Sequence, residues 1–114
     1  MNDTNCIFCK IANKVIATDI VTDTDNFFVI ADISPKTKTH LLIISKEHFE
    51  DFNELMQNKN LHSEYIELIL KLNKNLQNPT HKLTTNTGKT SGQEVFHFHT
   101  HFTSSSALKS TAFA

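Results

Sequence analysis

The chain has 114 residues, 39% of them hydrophobic and 20% charged, which is enough for one domain and too little for two. Its net charge of −1 lacks the cationic footprint of a protein that grips a nucleic-acid polymer, and no apolar run is long enough to span a bilayer. All 11 basic residues are Lys, so any phosphate chemistry here works without the bidentate guanidinium fork.

Residues 6–13 are predicted as a short helix, with Asn5 as N-cap and Ile7, Phe8 and Ile11 as its buried face. A β-branched stretch at 15–22 and the run Phe27-Phe28-Val29-Ile30 within 26–32 predict two strands, with turn chemistry at 23–26 between them. After the polar loop opened by Ser34-Pro35, residues 40–44 predict a third strand, apolar enough to be central. Residues 47–58 read as a broken helical stretch. At 62–77, Tyr65, Leu68, Ile69, Leu72 and Leu76 fall at helical spacing, so one long helix is expected, closed by Asn78-Pro79. A short strand at 82–86, a loop at 86–93 holding both glycines, and a last strand at 95–103 complete the order, with a small polar tail from about residue 104. The whole predicts a single α+β domain with a mainly antiparallel sheet of about five strands, one long helix and one short helix.

The last strand carries the unusual pattern. Three of the seven histidines, His97, His99 and His101, alternate with Phe96, Phe98 and Phe102, which are expected in the core. Period two puts the three imidazoles on one face, same-face neighbours roughly 6–7 Å apart. Strand stability does not ask for this, because three imidazoles in register repel one another when protonated. The bland readings are an exposed polar face or a metal-binding histidine tract. The functional reading is a neutral imidazole acting as nucleophile beside neighbours that donate protons or ligate. With an ordinary pKa near 6.5, about three-quarters of such a group is neutral at pH 7. His62 and His81 fit no pattern and read as solvated.

Cys6 and Cys9, three apart, read as metal-binding or redox-active. No βαβ unit feeds the pair, which disfavours the redox alternative. The Met-Asn-Asp-Thr-Asn start has no positive side chain and no apolar core after it, so a cytoplasmic protein is expected.

Taken together, these residues resemble the histidine-triad (HIT) superfamily, closest to the Hint-like branch and its zinc-containing bacterial members. His97-Phe98-His99-Thr100-His101-Phe102-Thr103 is similar to the triad signature, and Cys6-Ile7-Phe8-Cys9-Lys10-Ile11 to the branch's start. Asp32-Ile33-Ser34-Pro35 with His40, Lys46-Glu47-His48, and Asn86-Thr87-Gly88 with Gly92-Gln93 resemble three further motifs, in the right order.

The resemblance implies a purine-nucleotide hydrolase acting on nucleoside phosphoramidates or adenylated compounds. In it, His99 attacks the α-phosphorus to form a covalent nucleotidyl-histidine that water then hydrolyses. His101 contacts the phosphate and protonates the leaving group, and His40 adds a contact from the next strand. Asp32 takes the ribose hydroxyls; Ile7, Phe8, Ile11, Ile16, Ile30 and Ile33 sandwich the base; Asn86, Gln93 and Val95 complete the phosphate contacts. Cys6, Cys9, His48 and His97 are the implied ligands of a structural zinc, and a homodimer is implied too. The competing readings are a dinucleoside-polyphosphate hydrolase, a nucleotide-binding or scaffold protein with little turnover, and a metal protein in which all three triad histidines hold one ion. Assigning His97 to zinc counts against the last. The chain departs from the pattern at Glu94, a carboxylate near the phosphate, at Thr100, and after His101, where Phe102-Thr103-Ser104 runs straight into the tail.

Overall fold

A computed structural model describes residues 5–113. In chain order the elements are α1 (Ile7–Ala12), β1 (Thr22–Asp23), β2 (Phe27–Ala31), β3 (Thr39–Ser45), α2 (Phe52–Met56), α3 (His62–Lys74), β4 (Lys82–Thr84) and β5 (His99–Ser104), with short 3-10 turns at Lys59–Leu61 and Lys89–Ser91. The strands form one antiparallel sheet in the order β1-β2-β3-β5-β4. β3 lies at the centre, buried along its full length, as its apolar sequence demands.

The pleat sorts side chains to two apolar clusters. Phe27, Val29, Leu41, Ile43, Phe98 and Phe102 pack against Leu55 of α2 and against Tyr65, Leu68 and Leu72 of α3. On the other face, Phe28, Ile30, Leu42 and Ile44 meet Cys6, Phe8 and Cys9 at the start of α1. The Glu64 carboxylate pins α3 to the β1–β2 turn by accepting from the Thr24 hydroxyl and from the backbone and side-chain amides of Asn26. No helix among the described residues is long and apolar enough to cross a membrane.

Several sequence expectations shift. The cap of α1 is Cys6 rather than Asn5: its thiol accepts from the Cys9 amide at 3.4 Å. The strand expected at 15–22 shrinks to Thr22–Asp23, opposite Val29 and Phe28, with Val21 N–H donating to the Val29 carbonyl just before it. Further upstream the chain turns through Lys14 at φ 61, with Val15 N–H tied back to the Lys10 carbonyl. The long helix ends at Lys74, where the tail returns: Leu76 pairs with Leu108, and Gln77 N–H donates to the Ala107 carbonyl. The tail therefore packs, with Leu108 and Phe113 against the larger cluster. The last strand starts at His99 rather than at 95, because residues 95–98 bend to donate Phe98 N–H to the Phe49 carbonyl. That bend leaves Phe96 41% exposed, outside the core expected for it.

Candidate functional site

Alternation along β5 puts half-buried His99 and His101 on the sheet face opposite α3, with Thr100 and Phe102 turned into the core. β3 runs alongside, Leu42 facing His101 and His40 facing Thr103. His40 therefore reaches His101 diagonally, Nε2 to Nδ1 at 2.9 Å. The Lys36 backbone N–H donates to His40 Nδ1 at 3.0 Å. A donor there requires that nitrogen to be bare, so the His40 proton sits on Nε2 and is donated to His101. His101 in turn keeps its own proton on Nε2. Asp32 closes the group: Oδ1 accepts from Ser34 N–H at 2.8 Å, while Oδ2 lies 3.5 Å from His40 Nε2 and 3.9 Å from His101 Nδ1. Burial pushes the His101 pKa down, and charge on His99 and His40 adds to this against the pull of Asp32.

His99 is held differently. Its Nδ1–H donates to the His97 carbonyl at 2.8 Å, which leaves Nε2 with a bare lone pair. Thr85 donates to the His99 carbonyl at 3.0 Å, and Phe8 sets its ring edge-on to the imidazole at 5.1 Å between centroids. An imidazole tied at one nitrogen and bare at the other is suited to act as nucleophile or general base.

The His97 side chain belongs to a second cluster. Fully buried, it donates Nε2–H to the Ser45 carbonyl at 2.7 Å, so Nδ1 is bare. That nitrogen lies 3.2 Å from Cys6 Sγ, 3.4 Å from Cys9 Sγ and 3.2 Å from His48 Nδ1, and His48 Nδ1 lies 3.2 Å from Cys9 Sγ. A four-coordinate ion with bonds of ~2.3 Å to sulfur and ~2.0–2.1 Å to nitrogen sets nitrogen–nitrogen and nitrogen–sulfur ligand pairs ~3.3–3.6 Å apart. The observed edges match that tetrahedron to within a few tenths of an ångström, so Cys6, Cys9, His48 and His97 can hold a metal ion. Burial takes the His97 pKa down to about 4, against the Ser45 carbonyl and with help from charge on His48 and His99; this keeps the ring neutral, the ligating form.

The residues expected at the base split by exposure. Phe8 and Ile30 are buried in the smaller cluster with Ile11 and Val95 packed on it, whereas Ile7, Ile16 and Ile33 face outward, Ile33 at 98% exposure. Gln93 is buried, with both polar ends spent on backbone: its amide donates to the Glu50 carbonyl at 2.7 Å, and its oxygen accepts from Gly88 N–H at 2.8 Å. It shapes the 86–93 loop from within. Asn86 packs against Gly92, where φ of +94 favours glycine. Glu94 is exposed, so its carboxylate has water available. His62 and His81 lie outside both clusters; His62 donates to the Met56 carbonyl, and His81 stacks on Phe102. Sequence reasoning missed Lys36 and Ser45, which act through main-chain groups and leave no side-chain signature.

A family model described as "Scavenger mRNA decapping enzyme C-term binding" matches residues 5–112. Among similar proteins, an uncharacterised HIT-like protein of Helicobacter pylori is 37% identical over 102 residues, covering 86% of this chain and 94% of its own. One from Methanocaldococcus jannaschii is 32% identical over 97 residues, covering 84% and 75%. Of solved structures, a HIT family hydrolase from Clostridium thermocellum superposes with a TM-score of 0.81 at 30% identity, covering 90% of this chain and 91% of its own. A second, from Legionella pneumophila, gives 0.77 at 33% identity, covering 88% and 92%. With a five-stranded antiparallel sheet whose fifth strand carries His99 and His101, and with relatives of this closeness over most of its length, the chain belongs to the HIT family.

Proposed function

We propose that the protein is a purine-nucleotide hydrolase that works through a covalent nucleotidyl-histidine, on nucleoside phosphoramidates or adenylated compounds. The observation that carries this reading is the His99 ring, its Nδ1–H bound to the His97 carbonyl at 2.8 Å and its Nε2 lone pair bare. Likeness to proteins described as HIT family hydrolases supports it.

In the first step His99 Nε2 forms a bond to the α-phosphorus, and the bond from phosphorus to the leaving nitrogen or oxygen breaks. The departing atom takes a proton from His101. An incoming phosphate raises the His101 pKa against the depression that burial causes; the second ring proton then sits on Nδ1, where Asp32 Oδ2 at 3.9 Å accepts it and, at 3.5 Å, also takes the His40 Nε2–H that the nitrogen no longer accepts. In the second step water gives a proton back to His101 as its oxygen adds to phosphorus, the bond to His99 breaks, and the nucleoside monophosphate leaves. Dividing one displacement in two lowers each barrier. Asp32 also serves the ribose hydroxyls, and the outward Ile16 and Ile33 offer apolar cover to a purine.

Zinc is the ion proposed for Cys6, Cys9, His48 and His97, since two thiolates with two imidazoles in tetrahedral array suit it. Its part is structural: bound there, it ties the start of α1 to the segment that carries the His97 carbonyl. Two cysteines held as metal-ligating thiolates rather than as a disulfide suit a reducing compartment, which favours the cytoplasm. A homodimer is supported by Ile66 and Leu70 of α3, exposed at 54% and 60%, and by Leu83 on the edge strand β4. Leu83 faces Phe102 in the register, so it shares the sheet side with α3.

The test is to mix the protein with adenosine 5′-phosphoramidate, quench in neutral denaturant and examine His99 by mass spectrometry. AMP release with a nucleotidyl adduct on His99 is expected. A protein that binds AMP yet shows neither turnover nor adduct is a binding module, and the proposal fails.

A further inference from the structure

A cavity of about 480 Å³ lies beside α1, and its apolar lining comes from Ile11, Ala12, Ile16 and Phe28. Ile11 and Ile16 are also base-contacting residues of the nucleotide reading, on which this inference rests. Three charged groups, Lys14, Asp23 and Lys46, share the lining, and the last two form a pair. Asp23 stands opposite Phe28 in the β1–β2 register, and Lys46, just past β3, brings Nζ to 3.3 Å from Asp23 Oδ2. The cleft thus offers apolar surface for the faces of a flat ring and a neighbouring donor and acceptor for its edge.

We infer that Asp23 and Lys46 read the polar edge of the base and favour guanine. Guanine presents an acceptor and two donors in a row, O6, N1–H and N2–H. Lys46 donates to O6, while the two carboxylate oxygens of Asp23 accept N1–H and N2–H as a fork. Adenine offers only an N6–H to the carboxylate and N1 to the ammonium, one bond to each partner. Hypoxanthine keeps O6 and N1–H but lacks the N2 donor. Bonds to charged partners are the stronger kind, and a site built for a donor discriminates against a base without it. The pair is partly open to water, side chains 37% and 61% exposed, so the preference is moderate rather than absolute. Exposed ion pairs contribute little to folding, so either residue can be replaced without unfolding the chain.

Calorimetric titration of the intact protein with GMP, IMP and AMP tests this without turnover, since all three are products. GMP is expected to bind about tenfold more tightly than AMP, with IMP between. Asp23→Asn should reduce the GMP-to-AMP ratio to about two or less, and Lys46→Met should weaken GMP and IMP together. Equal affinities for GMP and AMP in the wild type overturn the inference, as does an Asp23→Asn variant that keeps the preference. Failure of all three nucleotides to bind has a different meaning: it overturns the nucleotide reading itself, and this inference with it.

Discussion

His99 and His101 sit two residues apart on one strand, yet their surroundings set them to different work. His99 donates its Nδ1–H in a hydrogen bond to the His97 carbonyl and keeps a bare Nε2, whereas His101 accepts a hydrogen bond from His40 at Nδ1 and keeps its own proton on Nε2. The first is arranged to attack and the second to donate. His101→Ala should therefore slow release of a basic amine from a phosphoramidate by about 10²–10⁴-fold. It should slow release of an acidic phenol much less, because that group departs without a proton. Comparing kcat for the two substrates checks this, and an equal loss for both would assign His101 to phosphate binding alone. The imidazole row is legible in the sequence because strand period two is visible by inspection. The proton arrangement is not, because the Lys36 amide and the carbonyls of Ser45 and His97 belong to the backbone, where every residue type looks alike.

At the scale of elements, α1 depends on one side chain for two duties. Cys6 caps its first turn and also lies 3.2 Å from His97 Nδ1 in the cluster that can hold a metal ion. The two duties can be separated by substitution. Cys6→Ser retains an oxygen that caps well but removes a thiolate, while Cys6→Ala removes both. Metal content should fall sharply in both variants, and Cys6→Ala should be less stable than Cys6→Ser by about 1 kcal/mol, the worth of a cap. Metal analysis and urea denaturation would measure these, and full metal content in Cys6→Ala would sink the assignment. Stripping the metal from the wild type should also expose a pH dependence. His97 titrates near 6.5 when unfolded and at about 4 when folded, so the metal-free protein should hold its stability above pH 6.5 and lose it as pH falls toward 4. Cys6 and Cys9 were readable as a pair, but His48 is 39 residues and His97 88 residues from Cys9, and only folding brings them near. The stretch at 15–22 failed as a strand for a related reason: β-branched side chains favour extension, but a strand also needs a partner, and the ladder with β2 runs only over Thr22 and Asp23.

For the molecule as a whole, the sheet is a partition. Its α3 side holds the larger apolar cluster and the outward Ile66, Leu70 and Leu83; its other side holds α1 and the histidines. A second copy bound through the first side would leave the second open to ligand. Leu70→Glu should thus convert a dimer to a monomer by light scattering, with near-wild-type far-UV circular dichroism, because this residue already faces water in the single chain. A wild type that is monomeric at micromolar concentration would refute this. The partition has a further consequence for motion. A helix of six residues cannot sustain itself in water, so α1 persists only through Phe8, Cys9 and the cluster beneath them. The cover over the histidines can therefore unfold locally while the α3 side stays intact, which uncouples admission of a ligand from global melting. Amide hydrogen exchange in α1 then reports the breathing of the site, and exchange in β3 reports the life of the fold.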